Sequence, residues 1–505
     1  MSAAAAIIRA GAAADQHPWP RHVLSRERWQ ALAAALNAAD APPLQGLWAE
    51  AERVHALFLD AGSPLSASIE VAGGTYPALS PHCPAASWFE RMIHDLFGHV
   101  AEGGRDPRPW LDHGAWSTAA PLGPRQAALP PRVGAPEPPE FLQVEGEDLN
   151  QIGLGPVAGA ITEPAHLRLT AQGETLVRLE VRLGYAHKGT LGLMRGATPD
   201  AASRLAGRVS GDSTVAYAWA FARAVEAALG VVVPKRASVL RGVMAELERL
   251  ANHAGDFGAI CNDAGFPLIN AHAGALRETI LRQAEACFGH RLMMDRIVPG
   301  GVAADLAPAS AASLLAELPS WRGRFERLVE LYGKTASLQD RVVAAGRLAP
   351  DLARRLGCGG YVGRAAGQDF DARRDAPYPP YDRHAPDVPA LAAGDVDARV
   401  RIRIAEIRAS VALIGELLGD LPEGGIRASL PENGGEAFGC ALVEGFRGDV
   451  FAAVRLRGAV VADAFLRDPS WFFWPALEAA IEGNIVADFP LCNKSFNAAY
   501  SGCDL

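Results

Sequence analysis

The sequence predicts an α+β protein: a small α/β domain at the N-terminus, then a large helical bundle with β-hairpins at its edge. Three observations carry this expectation. Apolar residues recur at helical spacing in the middle of the chain, as at Leu240, Val243, Leu247 and Leu250, with Glu246, Glu248 and Arg249 around the stripe. That is the pattern of a helix with one buried face. Short stretches alternate instead, Ala67-Ser-Ile-Glu-Val-Ala72 early and Leu167 to Arg182 later, which is the period of a strand. Between these regions Ser117 to Pro139 is rich in Pro, Ala and Gly, a semi-rigid composition that marks a boundary. The expected division is a domain over 1–116, a linker over 117–140 and a domain over 141–505.

The elements follow in order. An alanine-rich helix is expected near Glu27 to Asn37, and a second at Trp88-Phe-Glu-Arg-Met-Ile-His-Asp-Leu-Phe-Gly98, with Trp88, Met92, Leu96 and Phe97 on one face. His94 and Asp95 read as a paired helix end. A β-hairpin turns at Ala171-Gln-Gly-Glu174. Gly211 leads from a tight loop into the apolar segment that Leu229-Gly230 ends, the pattern of a buried helix. Helical patterns run from Val231-Val-Val-Pro-Lys-Arg236 to Asp256, and resume from Ala275 to His290, as in a long antiparallel bundle. Two more helices are expected at Ala311 to Leu348 and Asp397 to Leu418, with a loop region from Gly359 to Arg383 between them. Asp449 to Leu456 reads as a strand and Trp471 to Ile481 as a last helix.

Composition narrows the function. At 505 residues, 49% hydrophobic and 21% charged, the chain can bury a large core, and a net charge of -9 argues against a nucleic-acid binder. Its seven cysteines lack the paired spacing of zinc or iron–sulfur sites, which fits a reducing compartment, and Cys503 is kept as a candidate free thiol. The start, Met1 to Arg9, is a poor signal peptide, and no apolar run reaches the roughly 18 residues a bilayer span needs. Work at a membrane would therefore proceed by docking on another subunit. Neither a Gly-rich dinucleotide loop nor a Walker pattern occurs, so NAD is expected to bind elsewhere.

The chain is organised around Arg208-Val-Ser-Gly-Asp-Ser-Thr-Val-Ala-Tyr217 and the final Phe496-Asn-Ala-Ala-Tyr-Ser-Gly-Cys-Asp-Leu505. These segments resemble the two metal-binding segments of the large subunit of energy-converting [NiFe] hydrogenases of the formate-hydrogenlyase type, and of the related quinone-site subunit of complex I. Segments at Gly184-Tyr-Ala-His-Lys-Gly189, His290 to Gly301 and Gln368 to Asp382 are similar too, and Trp88 to Trp110 resembles the accessory subunit of complex I fused in front. The resemblance implies the hydrogenase large-subunit type of bundle. It also places the four thiolate ligands at Ser210, Ser213, Ala499 and Gly502, where none is a cysteine. Serine hydroxyls are hard, weak ligands beside thiolates. The chain is thus expected to hold no metal, and nickel maturation is not expected in the absence of ligands or a tail past Leu505.

The resemblance further implies a partner iron–sulfur small subunit with a [4Fe-4S] cluster, antiporter-like membrane subunits, and a quinone as possible acceptor. It implies a peripheral place on the inner, cytoplasmic face of the cell membrane. Ser210, Gly211, Asp212 and Ser213 form the vestigial pocket loop, where the serine hydroxyls are read as bonding loop or helix-start amides. Asp212 is either an N-cap or a buried proton carrier. Tyr217 either donates to a quinone or is a satisfied core tyrosine. Asp263, His253, Glu163 and His166 are the candidates for proton movement. A complex I histidine falls at Ala158, its aspartate partner at Asp263, its quinone tyrosine at Gly211, and a hydrogenase glutamate at Leu191. The expected function is an oxidoreductase-complex subunit passing electrons to a quinone or other acceptor with ion translocation. The alternative is a non-catalytic scaffold.

Overall fold

A computed structural model describes residues 1–124, 127–128, 140–146, 148–157 and 163–505. Most of the expected linker, and Ala158, lie outside the described residues.

The N-terminal part is a five-stranded sheet of β1 (Ala12–Ala14), β2 (Arg21–Leu24), β3 (Leu44–Ala49), β4 (Arg53–Asp60) and β5 (Ser63–Glu70). Its order is β1-β2-β5-β4-β3, and β2 runs parallel to β5. Helix α1 (Arg26–Ala35) starts where Ser25 accepts the Arg28 N–H, and buries Trp29 and Leu32. Helix α2 (Ser87–Phe97) ends at Gly98, whose φ of 70° suits glycine. On α2, Asp95 accepts the N–H groups of Trp110 and Leu111 at 2.7 Å each, and Glu90 those of Leu79 and Ser80. The motif's carboxylates therefore pin loops, a role the sequence reading did not give Asp95, and the expected pairing with His94 is a 3.5 Å contact.

The large part opens with β6 (Leu149–Leu154), β7 (His166–Gln172) and β8 (Thr175–Arg182), an antiparallel sheet containing the expected hairpin. Helices α3 (Thr214–Leu229), α4 (Lys235–Asp263), α5 (Pro267–Phe288), α6 (Pro308–Lys334) and α7 (Val396–Gly419) make the bundle. Strands β9 (Glu436–Glu444), β10 (Asp449–Arg457) and β11 (Val460–Arg467) form a second antiparallel sheet. The chain closes with α8 (Ser470–Ala480), α9 (Phe489–Phe496) and the short α10 (Ser501–Asp504).

Three expectations need correction. Helix α4 runs unbroken past Asp256 to Asp263, and α5 starts at Pro267, because a proline at the first helical turn lacks only an N–H that would be unpaired anyway. The pattern from Ala311 to Leu348 is two helices that part at Thr335. The polar residues around the α4 stripe are not solvated: Glu246, Glu248 and Arg249 are all buried. Helices α5 and α7 pack on α4, so its polar side chains must find partners inside.

Small residues let α3 lie against the second sheet. A Cβ on Gly439 would stand 2.0 Å from the Ala224 carbonyl oxygen and 2.6 Å from the Ala228 nitrogen. That sheet also meets the N-terminal part: Trp48 stacks on Phe465 at 5.6 Å, Phe89 on Trp471 of α8 at 4.5 Å, and Arg467 donates to the Gln45 carbonyl at 2.7 Å. Among the described residues, no helix is long and apolar enough to cross a membrane.

Candidate functional site

The loop before α3 is held by charge. Asp212 accepts the hydroxyls of Ser210 (2.8 Å) and Ser213 (3.2 Å), and pairs with both terminal nitrogens of Arg447 at 2.7 and 2.6 Å. Burial pushes the Asp212 carboxyl up, but the guanidinium and the two hydroxyls outweigh this and hold it at about 2. Asp212 is not the N-cap of α3, and its carboxylate is spent on Arg447 and the two serine hydroxyls. The serine hydroxyls donate to a carboxylate, not to the helix start. The first free N–H groups of α3, on Val215 and Ala216, are accepted by Glu248 of α4 at 2.7 and 3.2 Å. This buried glutamate does from a distance what a capping side chain does locally.

The same arginine ties in the last segment. Arg447 Nε donates to the Asn497 carbonyl at 2.6 Å, just where α9 ends in a left-handed residue with φ of 43°. A second clip is Asp468, which accepts the Tyr217 hydroxyl at 2.8 Å. Its carboxylate lies so close to Gly502 that a Cβ there would stand 2.7 Å from Asp468 Cγ. The Ala499 N–H donates to Ser470 at 2.8 Å. The two distant sequence segments therefore meet, with Arg447 and Asp468 between them.

The residues present do not fit a sulfur-held bimetallic centre. Ser210, Ser213, Ala499 and Gly502 offer no thiolate, and the side-chain space at Gly502 is taken by Asp468. Among the described residues, no group of three or more His, Cys, Asp or Glu is placed to hold a metal ion. Cys503 is fully buried and its thiol is pushed well up by burial, which removes it as a reactive thiol.

Beside the clips lies a cavity of about 710 Å3. Leu154, Leu167, Phe489 and Pro490 give it an apolar wall, and Asp263, Glu163, Lys494, Asn493, Asn497 and Tyr500 a polar one. Ser210, Gly211, Asp212 and Arg447 also line it. Burial raises the Asp263 carboxyl, against Asn262 and Lys494. Glu163 accepts the Ser501 N–H at 2.8 Å. Of the sequence candidates, Asp263, Glu163, Ser210, Gly211 and Asp212 thus line one space.

Three candidates lie away from the cavity wall, and Tyr217 takes the second of its two readings, a satisfied core tyrosine. Tyr217 is fully buried, its hydroxyl spent on Asp468 and its pKa raised well above normal by burial. His253 is also fully buried and lies 2.9 Å from Glu406 of α7, not on the cavity wall. His166 is not in the cavity. It sits on β7 beside Leu167, and because successive strand residues face opposite ways, Leu167 takes the cavity side while the His166 ring meets Phe141 edge-on at 4.7 Å. Sequence reading missed Arg447, Asp468, Glu248 and Lys494. The one local signal was Glu444-Gly-Phe-Arg-Gly-Asp449, where glycines bracket an arginine in an otherwise apolar run. Gly448, with φ of 140°, and Gly360 let two loops touch beside it.

Comparison with known proteins bears on this arrangement. Residues 23–126 match the family described as respiratory-chain NADH dehydrogenase, 30 kDa subunit, and residues 263–436 match the 49 kDa subunit family. An NADH-quinone oxidoreductase subunit of Dehalococcoides mccartyi (strain ATCC BAA-2266 / KCTC 15142 / 195) is 31% identical over 306 residues, 59% of this chain and 82% of that protein. The chain belongs to the NADH dehydrogenase 49 kDa subunit family. Within it, a 30 kDa-subunit sequence precedes the 49 kDa-subunit sequence in one polypeptide. Hydrogenase components are similar as well. Formate hydrogenlyase subunit 5 of Escherichia coli (strain K12) is 29% identical over 438 residues, 85% of this chain and 77% of that protein. Hydrogenase-4 component G of the same organism is 28% identical over 449 residues, 87% and 78%. A chain of the membrane-bound sulfane sulfur reductase, an archaeal respiratory membrane complex, shares the fold with a TM-score of 0.67 and 24% identity, over 71% of this chain and 99% of that one.

Proposed function

We propose that this chain is the fused large subunit of a membrane-associated respiratory oxidoreductase complex, and that it passes electrons from a partner's [4Fe-4S] cluster to an acceptor in the cavity without a NiFe centre. One observation carries the reading: the cavity borders the segments whose thiolate positions are Ser210, Ser213, Ala499 and Gly502, and Arg447 paired with Asp212 spans them. A quinone is the acceptor that the polar and apolar walls suit best. Reduction of its two carbonyls consumes two electrons and two protons. Lys494 and the Tyr500 hydroxyl can donate hydrogen bonds to a carbonyl oxygen on which negative charge develops. Asp263, its carboxyl raised, can hold a proton and deliver it to that oxygen. Arg447 and Asp212 fix the loop that forms the floor. Coupling to ion translocation, partnership with an iron–sulfur small subunit and antiporter-like subunits, and a place on the inner membrane face belong to the same reading.

An open cavity with a titratable wall supports this over a structural scaffold. The test is isolation of the whole complex, with metal analysis and quinone-dependent turnover. The expected result is turnover with iron but no nickel. Hydrogen uptake, or nickel bound in stoichiometric amount, overturns the reading.

A further inference from the structure

The last turn of α9 is fixed from three sides. The Ser495 carbonyl accepts Arg403 Nη2 at 2.8 Å, the Phe496 carbonyl the Tyr361 hydroxyl at 2.5 Å, and the Asn497 carbonyl Arg447 Nε at 2.6 Å. A helix leaves its final carbonyls without partners of its own. Here two buried guanidiniums and a buried phenol supply them. Lys494, which lies in this turn, therefore starts from a fixed backbone, and it lines the cavity.

Asn497 is what holds the ammonium. Lys494 Nζ donates to Asn497 Oδ1 at 3.1 Å, and Asn497 Nδ2 donates to both oxygens of Asp256 at 3.0 Å each. Asp256 in turn pairs with Arg403 at 3.4 Å and lies 3.7 Å from Lys494 Nζ, too far to bond it. One carboxylate thus stands between two cations, so the trio carries a net positive charge. Arg447 does not add to it, because Asp212 takes both its terminal nitrogens. An ammonium has three donors. Among the described residues only Asn497 takes one, which leaves the others for a ligand in the cavity. A lysine left untethered there would have to lose its rotamer freedom each time a ligand arrived.

Asn497 does this from an unusual backbone. Its φ of 43° and ψ of 44° are left-handed, where Gly and Asn sit readily and most other residues are strained. Glycine would keep the turn and lose both side-chain bonds. Aspartate would keep an acceptor for Lys494 but set a carboxylate against Asp256. Asparagine alone of the three offers an acceptor to the ammonium and a donor to the carboxylate at once.

We propose that Asn497 is a positioning residue: it tethers the Lys494 ammonium at the cavity wall, ready to donate to a carbonyl oxygen of the bound acceptor. It rests on the proposed function for the acceptor alone; the tether can be read without one.

The test compares the whole complex as wild type, Asn497→Gly, Lys494→Met and the double variant, by two measurements. The first is the rate of trace acetylation by acetic anhydride at Lys494, followed by mass spectrometry with the exposed Lys334 as internal reference. Asn497→Gly is expected to raise that rate about fivefold, the weight of one hydrogen bond. Asn497→Asp, which hands the ammonium a charged acceptor, is expected to lower it instead, and serves if the glycine variant does not fold. The second measurement is the dissociation constant of decylubiquinone by equilibrium dialysis. Asn497→Gly and Lys494→Met are each expected to weaken binding about tenfold, as for a hydrogen bond from a charged donor. The double variant should lose no more than either, because Asn497 acts through Lys494. Unmoved acetylation rates overturn the proposal, and so do binding losses that add in the double variant, since Asn497 would then act by itself. If the wild type does not bind decylubiquinone, the quinone of the proposed function falls and the acetylation rates alone decide the tether; binding with unmoved rates does the opposite.

Discussion

Arg447 carries one positive charge into a place bounded by Asp212, Ser213 and the Asn497 carbonyl, and three of its nitrogens are spent there. Replacing it with methionine removes the clip between the two segments and strands the Asp212 carboxylate. The expected cost is about 1–3 kcal/mol, measured by denaturant unfolding. The pH dependence of this pair follows from its sign. The folded-state pKa of Asp212, about 2, lies below the unfolded value, so its stabilisation is present above roughly pH 4 and is lost as pH falls toward 2. Asp212→Asn should flatten the acid limb of stability against pH. Glu248 has the opposite sign: burial pushes its carboxyl up to about 8 despite the Val215 and Ala216 N–H groups, and Asp212 adds to the rise. Its contribution is fully present below roughly pH 4 and is lost as pH climbs to 8, on the order of 1.4 kcal/mol per unit. Glu248→Gln, which keeps an acceptor for the helix start, should remove that decline. A variant that tracks the wild type between these pH values would show that Glu248 stays ionised.

At the scale of elements, the contact of α3 with β9 depends on the absence of a side chain. A Cβ at Gly439 meets backbone atoms of Ala224 and Ala228, which cannot move aside as a flexible side chain could. Gly439→Ala should therefore cost about 1–3 kcal/mol or more by overpacking. Gly211 is the control. It sits in the conspicuous loop, yet among the described residues a Cβ there meets nothing within 4 Å, and its φ is ordinary. Gly211→Ala should stay within about 0.5 kcal/mol of the wild type in the same unfolding assay. Periodicity found α3 and α4 but not their surroundings. The α4 stripe was legible because leucines recur at helical spacing. The burial of Glu246, Glu248 and Arg249 was not, because their partners, Arg373, Glu406 and the α3 N-terminus, lie far away in sequence.

At the scale of the molecule, the N-terminal part and the bundle meet through stacked aromatics and a buried arginine, as a core does. The expected outcome is one cooperative thermal transition for the whole chain, where calorimetric and van't Hoff enthalpies agree; two separated transitions would show that the parts unfold independently. A double-mutant cycle on Phe89 and Trp471, whose rings stack at 4.5 Å, should return a coupling of about 0.5–1.5 kcal/mol.

Residue order alone determined the family resemblance, the mixed helix-and-strand character, the absence of cysteine at the four positions where that resemblance puts thiolates, and the segment that would form a pocket loop, since each is a local pattern or an ordered set of short ones. Only the tertiary structure decided that Ser213 and Asn497 share one arginine, that Tyr217 is spent on Asp468, that His166 faces away from the cavity, and that His253 belongs to a buried network. Ion pairs and cavities join residues hundreds of positions apart. Their partners are chosen by packing and by the cost of leaving a buried charge alone, neither of which leaves a periodic trace in sequence.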